Sequence, residues 1–253
     1  MPSIPLGFDT VSILHAIRSG RRYGSEIMED TGLGGGSIYK LLHRLEEKRM
    51  IARDRVPPGQ TVTAKWPVLT YGDTPRVDTA RWRFRIFGAV ETPRQWTWAE
   101  LAARPPVENQ SDVHCVTRWS RLDNRWRGIR PRDLLAEARP RPDARFVMVH
   151  AEPDYTTNLP LEALLDDDVL LATHHDGRPL PADHGGPMRL VVPRLYFWKS
   201  AKWVTGFELM EEDRPGFWEG YGYHMRGDPW LEERLGGRPR ETMQAARARK
   251  ARE

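Results

Sequence analysis

The amino-acid sequence predicts an α+β protein, a β-rich mixed domain preceded by a small all-α unit. Three observations carry this expectation. Composition breaks at Pro57-Pro58-Gly59: the first 56 residues contain no Trp and no Pro beyond Pro5, whereas all ten Trp and nineteen of the 21 Pro follow. Apolar side chains recur at helical spacing before the break and alternate with polar ones after it. Finally, 39% hydrophobic residues beside 29% charged ones are enough to bury a core and argue against wholesale disorder. The expected organisation is a helical unit over residues 1–56, a main domain over 57–237 and a basic tail over 238–253.

In the first unit, Asp9 or Thr10 caps a helix that carries Val11, Leu14 and Ile17 on one face and stops at Ser19-Gly20. A short second helix runs from Ser25 to Asp30, ahead of Gly32. Ser37 caps a third, with Ile38, Leu41, Leu42 and Leu45 on one face and Tyr39, Lys40, His43 and Arg44 turned elsewhere. Three short helices in this order suggest a helix-turn-helix unit. Pro57-Pro58-Gly59 then ends regular structure, because proline removes a backbone donor and fixes φ.

After the junction, Trp82, Phe84 and Ile86 alternate with Arg83 and Arg85, the signature of a half-buried strand. Thr97 with Glu100 forms a capping-box pattern. Strands are also expected over Val113–Trp119, Arg145–Val149, Arg189–Val192 and Trp203–Leu209, and short helices over Pro131–Ala138 and Leu161–Leu165. The Arg- and Ala-rich tail from Arg238 reads as a frayed helix or a disordered end.

Charge and length exclude several function classes. The net charge of +4 resides at the ends: residues 1–56 hold 9 basic and 7 acidic side chains, 238–253 hold 6 and 2, and the segment between is slightly acidic with 24 and 26. A nucleic-acid footprint spread over the whole chain is therefore not expected. Apolar runs fall far short of the ~18 residues of a membrane span, and Arg21-Arg22 is followed by polar residues instead of the apolar core of an export signal. One cysteine, Cys115, allows no internal disulfide and no zinc site built on thiolates of this chain. A reducing, cytoplasmic setting is the expectation.

Cys115 is also the one thiolate donor that the chain offers a heavy metal. A lone cysteine on a strand more often packs as a small buried hydrophobe, so its surroundings must decide. Those surroundings, SDVHCVTRWSRLDNRWRGI over residues 111–129, resemble the cysteine segment of the sulfite oxidase-like molybdopterin oxidoreductases, in which HC-V-x-x-W-S is followed by W-x-G. The pattern falls on His114, Cys115, Trp119, Ser120, Trp126 and Gly128. Further segments follow in the family's order: PPGQ (57–60), WPVL (66–69), YTTNLPL (155–161), DHGGPMRLVVP (183–193), KSAKW (199–203) and PGFWEGYGYH (215–224). The resemblance covers about residues 57–235.

It implies a molybdenum-molybdopterin cofactor bound through the Cys115 thiolate, and two-electron oxygen-atom transfer on a small sulfur- or nitrogen-containing substrate. The cofactor's phosphate is dianionic, so the protein must supply donors. His184, Arg189, Lys199, Ser200 and Lys202 offer them, although a solvated basic stretch would read the same way. His114 flanks the ligand. Thr157 and Asn158 lie in a segment that approaches the cofactor in the family, or else cap the helix expected at Leu161. Sulfite oxidases carry an Arg five residues after the ligand Cys; here Ser120 stands there, and Arg118, three residues after it, is the cation left to meet an anionic substrate. Paired His174 and His175 point to opposite faces of a strand and are not expected to share an ion. An external electron donor or acceptor and a monomer are expected.

Residues 13–51, above all GSIYKLLHRLEEKRMI, resemble the winged helix-turn-helix of PadR-like transcription regulators. That resemblance implies a second reading, a DNA-binding regulator with a redox- or ligand-sensing domain. Ser37, Tyr39, Lys40, His43 and Arg44 would lie on the helix that enters the major groove. Only Ala52–Val56 separate the last helix from Pro57-Pro58, which leaves the wing short.

Overall fold

The computed structural model describes residues 8–19, 24–47 and 55–236. The chain divides between Arg55 and Val56 into two compact units. The expected basic tail and the short wing after the third helix fall mostly outside the described residues.

The first unit contains α1 (Phe8–Arg18), α2 (Gly24–Thr31) and α3 (Gly35–Glu47). Their apolar faces meet in a small core of Ile13, Ala16, Ile27, Ile38 and Leu45, with Leu14, Ile17, Leu41 and Leu42 packed against it. The helical spacing of these residues is the reason three short helices hold together: each supplies one stripe, and none could bury it alone.

The second unit is β-rich and mixed. In chain order it contains β1 (Thr61–Val62), β2 (Arg83–Gly88), β3 (Arg94–Thr97), α4 (Trp98–Ala102), β4 (Val107–His114), β5 (Trp119–Ile129), α5 (Pro131–Ala138), β6 (Phe146–Ala151) and β7 (Tyr155–Pro160). There follow β8 (Leu170–His175), β9 (Arg178–Pro179), β10 (Arg189–Val191), β11 (Val204–Met210) and α6 (Phe217–Gly220). One sheet has the order β1-β5-β8-β10, with β4 on β5 and β9 on β8; the other runs β3-β2-β11-β6-β7. Two pairings are parallel, β1 with β5 and β2 with β11. Phe84, Ile86, Val147, Val149, Phe207 and Leu209 from the second sheet pack with Ile129, Leu171, Leu190 and Val192 from the first, and α5 adds Leu134, Leu135 and Ala138. Val113, Trp126, Leu170, Ala172 and Val191 form a smaller cluster.

Local chemistry explains the elements that position the site. Thr97 caps α4 through its hydroxyl to the Glu100 amide (3.2 Å), and the Glu100 carboxylate accepts from the Thr97 amide (2.7 Å). Pro131 opens α5, where its missing donor costs nothing. Trp126 is buried within β5. Two residues on, Gly128 lets β5 approach β8 so closely that a Cβ there would stand 2.1 Å from the Leu171 carbonyl oxygen. These contacts give a physical reason for W-x-G.

Two expectations are corrected. Val113–Trp119 is not one strand: β4 ends at His114, residues 115–118 turn, and β5 begins at Trp119. The turn is closed by hydrogen bonds from the Arg118 amide to the Cys115 carbonyl (3.0 Å) and from the Cys115 amide to the Trp119 carbonyl (2.8 Å), with Arg118 at φ 71°. Leu161–Leu165 is a single 3-10 turn, Leu161–Leu164, because the chain leaves β7 through Pro160 and has only one turn to make.

Candidate functional site

Cys115 stands at the start of the β4–β5 turn, and its thiol is 5% exposed. The sulfur lies 3.1 Å from the Thr117 hydroxyl. Burial pushes the thiol pKa up, and the Thr117 hydroxyl and backbone and the charge of Arg234 oppose that rise. His114 bonds through Nδ1 to the Ser120 hydroxyl across the hairpin (2.8 Å), and its ring meets Trp230 edge-on at 5.8 Å.

The turn is held from both sides. Gln60 donates its side-chain amide to the Cys115 carbonyl (3.1 Å), and Arg234 donates Nη1 to the Val116 carbonyl (2.6 Å). The Arg234 guanidinium sits 4.9 Å over the ring of Tyr196. Burial raises the Tyr196 hydroxyl to about 12, with the charges of Arg234, Arg118 and Glu232 all acting on it. Tyr223 lies close enough to Cys115 for the sulfur's charge to raise its pKa further, beyond the effect of burial, and its ring stacks on Trp218 at 5.1 Å. Arg118 itself is exposed at the tip of the turn. Gln60 Oε1, the Tyr196 hydroxyl and Arg234 Nε are buried without a hydrogen bond of good geometry, although the Gln60 side chain acts on the Tyr196 hydroxyl, and Arg234 Nη2 lies 3.7 Å from a Glu232 carboxylate oxygen. Buried polar atoms are normally satisfied, so atoms short of hydrogen bonds around one turn suit a further polar group.

A second feature is a cationic pocket poor in carboxylates. Arg189 is 1% exposed and donates to the carbonyls of His184 and Ser200 (2.9 Å each). Its guanidinium lies 4.3 Å over Phe197 and 5.6 Å over Trp66. Among the described residues no carboxylate pairs with it, and burial brings it down to about 9. Lys202 donates to the Thr70 hydroxyl and the Asp183 carbonyl (2.7 Å each) and is brought to about 8 by burial and the nearby charge of Arg189. His184 stacks on Trp66 at 3.8 Å, and its buried Nδ1 has no partner. Burial lowers its pKa, and the charges of Arg189 and Lys202 lower it further. Gly185, at φ 102°, makes the convergence possible: a Cβ there would meet the Cβ atoms of Lys202 and Arg189 at 2.9 and 3.0 Å. Arg189 lowers the protonation of Lys202 and His184, Lys202 lowers that of His184, and among the described residues Asp183 is the one carboxylate acting against this, an arrangement that suits a dianionic ligand.

The other expected cofactor donors gather elsewhere. Lys199 is fully buried, and its ammonium meets Glu219 (2.6 Å), the Asn158 carbonyl and Oδ1 (2.8 Å each) and the Met225 carbonyl (2.6 Å). Thr157 donates to Glu219 (3.0 Å), as does Trp198 through its indole N–H (2.8 Å). Asn158 donates to Asp213 (2.7 Å) and the Met225 carbonyl. Lys199, Thr157 and Asn158 thus spend their hydrogen bonds inside the protein, tying β7 to α6 and the segment after it. Lys199, expected to serve the cofactor phosphate, has its ammonium satisfied by this network, as a buried ammonium must be, and Thr157 and Asn158, expected to approach the cofactor, belong to the same network. Ser200 accepts at Oγ from the Val192 amide (2.9 Å).

His174 Nδ1 pairs with Thr173, and His175 packs against Trp66 and Trp126. No group of three or more His, Cys, Asp or Glu is gathered for a metal among the described residues. Of the residues expected to meet DNA, Ser37, Lys40 and Arg44 are exposed on α3; Tyr39 and His43 are in the same helix, and their side chains fall outside the described set.

The sequence motifs contained signals for two of the residues around Cys115 that had not been singled out. Gln60 closes PPGQ and Tyr223 lies in PGFWEGYGYH. Tyr196 and Arg234 had no local signal.

The chain matches the family model described as oxidoreductase molybdopterin binding domain over residues 71–218. The uncharacterized oxidoreductase YuiH of Bacillus subtilis (strain 168) is 49% identical over 182 residues, which are 72% of this chain and 92% of that protein. The putative protein-methionine-sulfoxide reductase subunit YedZ1 of Azospira oryzae is 30% identical over 173 residues, 67% of this chain and 66% of that protein. Among solved structures, the sulfane dehydrogenase SoxCD of Paracoccus pantotrophus matches in fold with a TM-score of 0.51 at 23% identity, over 55% of this chain and 40% of that one.

Proposed function

Because the chain belongs to the family of oxidoreductases with a molybdopterin-binding domain, we propose that Cys115 supplies the thiolate ligand of molybdenum in two-electron oxygen-atom transfer. The enzyme is a molybdopterin-dependent oxidoreductase, and its cofactor is molybdenum-molybdopterin. We read the substrate class as a small sulfur- or nitrogen-containing molecule; the relative named as a protein-methionine-sulfoxide reductase subunit supports sulfur as the reacting atom, there within a protein.

One observation carries the assignment: the chain's single thiol is buried in a turn held by Gln60 and Arg234, whose side chains, with that of Tyr196, present buried polar atoms short of hydrogen bonds. When bound, the cofactor supplies a metal centre that changes by two electrons and exchanges an oxygen atom with the substrate. The residues of this chain do the rest. Arg189 and Lys202 would hold the phosphate by their charge, which among the described residues meets no protein carboxylate apart from Asp183, and His184 by a ring N–H. Gln60 and Arg234 clamp the two carbonyls at the start of the turn and so fix the direction of the sulfur. Tyr196 and Arg234 offer donors to a polarised substrate oxygen, and burial keeps the Tyr196 hydroxyl protonated at neutral pH. Arg118, exposed at the tip, draws an anionic substrate toward the turn.

Purified protein from a host that makes the cofactor should contain about one molybdenum per chain and release a fluorescent oxidised pterin. Cys115→Ser exchanges a soft donor for a hard one, and turnover should vanish while pterin is retained. Wild-type turnover by that variant would remove the assignment.

A further inference from the structure

Resting on the reading of Cys115 as the metal's thiolate, we propose that Thr117 is a positioning residue that sets the reduction potential of the centre through one hydrogen bond to the Cys115 sulfur. The Thr117 hydroxyl oxygen lies 3.1 Å from Sγ, within the range of a hydrogen bond to sulfur. Either atom can donate when the cysteine carries its proton. A metal-bound thiolate has none to give, so the hydroxyl becomes the donor.

The turn makes this contact reproducible. Hydrogen bonds from the Arg118 amide to the Cys115 carbonyl and from the Cys115 amide to the Trp119 carbonyl close it. Gln60 and Arg234 fix the carbonyls of Cys115 and Val116 from outside. Thr117 is thereby held two residues beyond the sulfur and beside it. Its side chain is exposed and belongs to none of the apolar cores. It adds nothing to core packing, and its hydroxyl lies beside the sulfur.

A donor to a thiolate sulfur withdraws electron density and stabilises the state in which the sulfur bears more negative charge. That is the reduced state of the metal, as at other thiolate-ligated centres whose potentials follow hydrogen bonding at sulfur. Removing the hydroxyl therefore lowers the potential. Valine has the shape of threonine without the donor, and serine keeps the donor without the methyl group.

The test is a redox titration of the molybdenum-loaded enzyme, followed by electron paramagnetic resonance of the one-electron state of molybdenum. Thr117→Val should shift the midpoint to more negative potential by about tenfold in the one-electron equilibrium constant, about 59 mV. Thr117→Ser should titrate like the wild type, and both variants should hold the same amount of molybdenum. A wild-type midpoint for Thr117→Val, or an equal shift for Thr117→Ser, overturns the proposal. Cys115→Ser separates the two readings. If it alters the resonance while Thr117→Val keeps the wild-type midpoint, the role of Thr117 alone falls; if it keeps the wild-type resonance, the ligand assignment falls and takes this proposal with it.

Discussion

Glu219 meets the ammonium of Lys199 at 2.6 Å with both side chains fully buried. The pair joins α6 to the 3-10 turn at Phe197–Lys199; Thr157 and Trp198 donate to Glu219 Oε1, and Asn158 Oδ1 accepts from the Lys199 ammonium. Four residues beyond Glu219, on the segment that this pair anchors, Tyr223 comes close to Cys115.

Breaking that pair on one side leaves a charge buried without a partner. Lys199→Met should cost about 3–5 kcal/mol of stability. Adding Glu219→Gln should recover part of the loss, because the orphaned carboxylate is then neutral. Urea unfolding at constant slope measures both, and a loss under about 1 kcal/mol for Lys199→Met would show that the pair does not anchor the segment.

The cationic pocket predicts opposite pH trends with and without cofactor. Lys202 and Arg189 are brought by burial to about 8 and about 9 in the folded chain, below their unfolded values. Above about pH 8 the unfolded chain therefore binds more protons than the folded one, and the cofactor-free protein gains stability from these groups as pH rises. Cofactor retention goes the other way, because the phosphate loses the Lys202 charge. Thermal midpoints of cofactor-free protein between pH 7.5 and 10, compared with Lys202→Met, should show the lysine's share of the rise. Pterin retained after exchange into the same buffers should fall for the wild type over that range, and a flat retention curve would exclude Lys202 from the phosphate site.

Gly128 predicts a sharp steric effect. Gly128→Ala places a carbon 2.1 Å from the Leu171 carbonyl oxygen, so β5 and β8 must part, at a cost of about 3 kcal/mol, the upper part of the usual range for overpacking. Gly220→Ala, where a Cβ meets open space, serves as the control and should stay near the wild type. Equal midpoints for the two variants in chemical denaturation would contradict the close approach.

Much of the framework was legible locally. Trp82, Phe84 and Ile86 announced β2 by alternation, and Pro131 at the first helical position marked the start of α5. Thr97 and Glu100 announced the start of α4. Strands β4 and β5 escaped because they form a hairpin with many exposed, polar positions, so alternation of hydrophobicity is weak. The turn at Cys115 escaped for a related reason: Val113, Cys115 and Trp119 read as a continuing strand until Arg118 takes a left-handed conformation and reverses the chain.

By itself, the sequence determined the motif order that marks the family, the one thiolate available, and the periodicities that choose helix or strand, since all of these are read along the chain itself. Tertiary structure alone decided which charges are compensated. Lys199 and Lys202 stand three residues apart in one basic motif, yet one is neutralised by Glu219 and the other faces Arg189. Ion pairing depends on distances set by packing, across separations in the chain that no local pattern encodes.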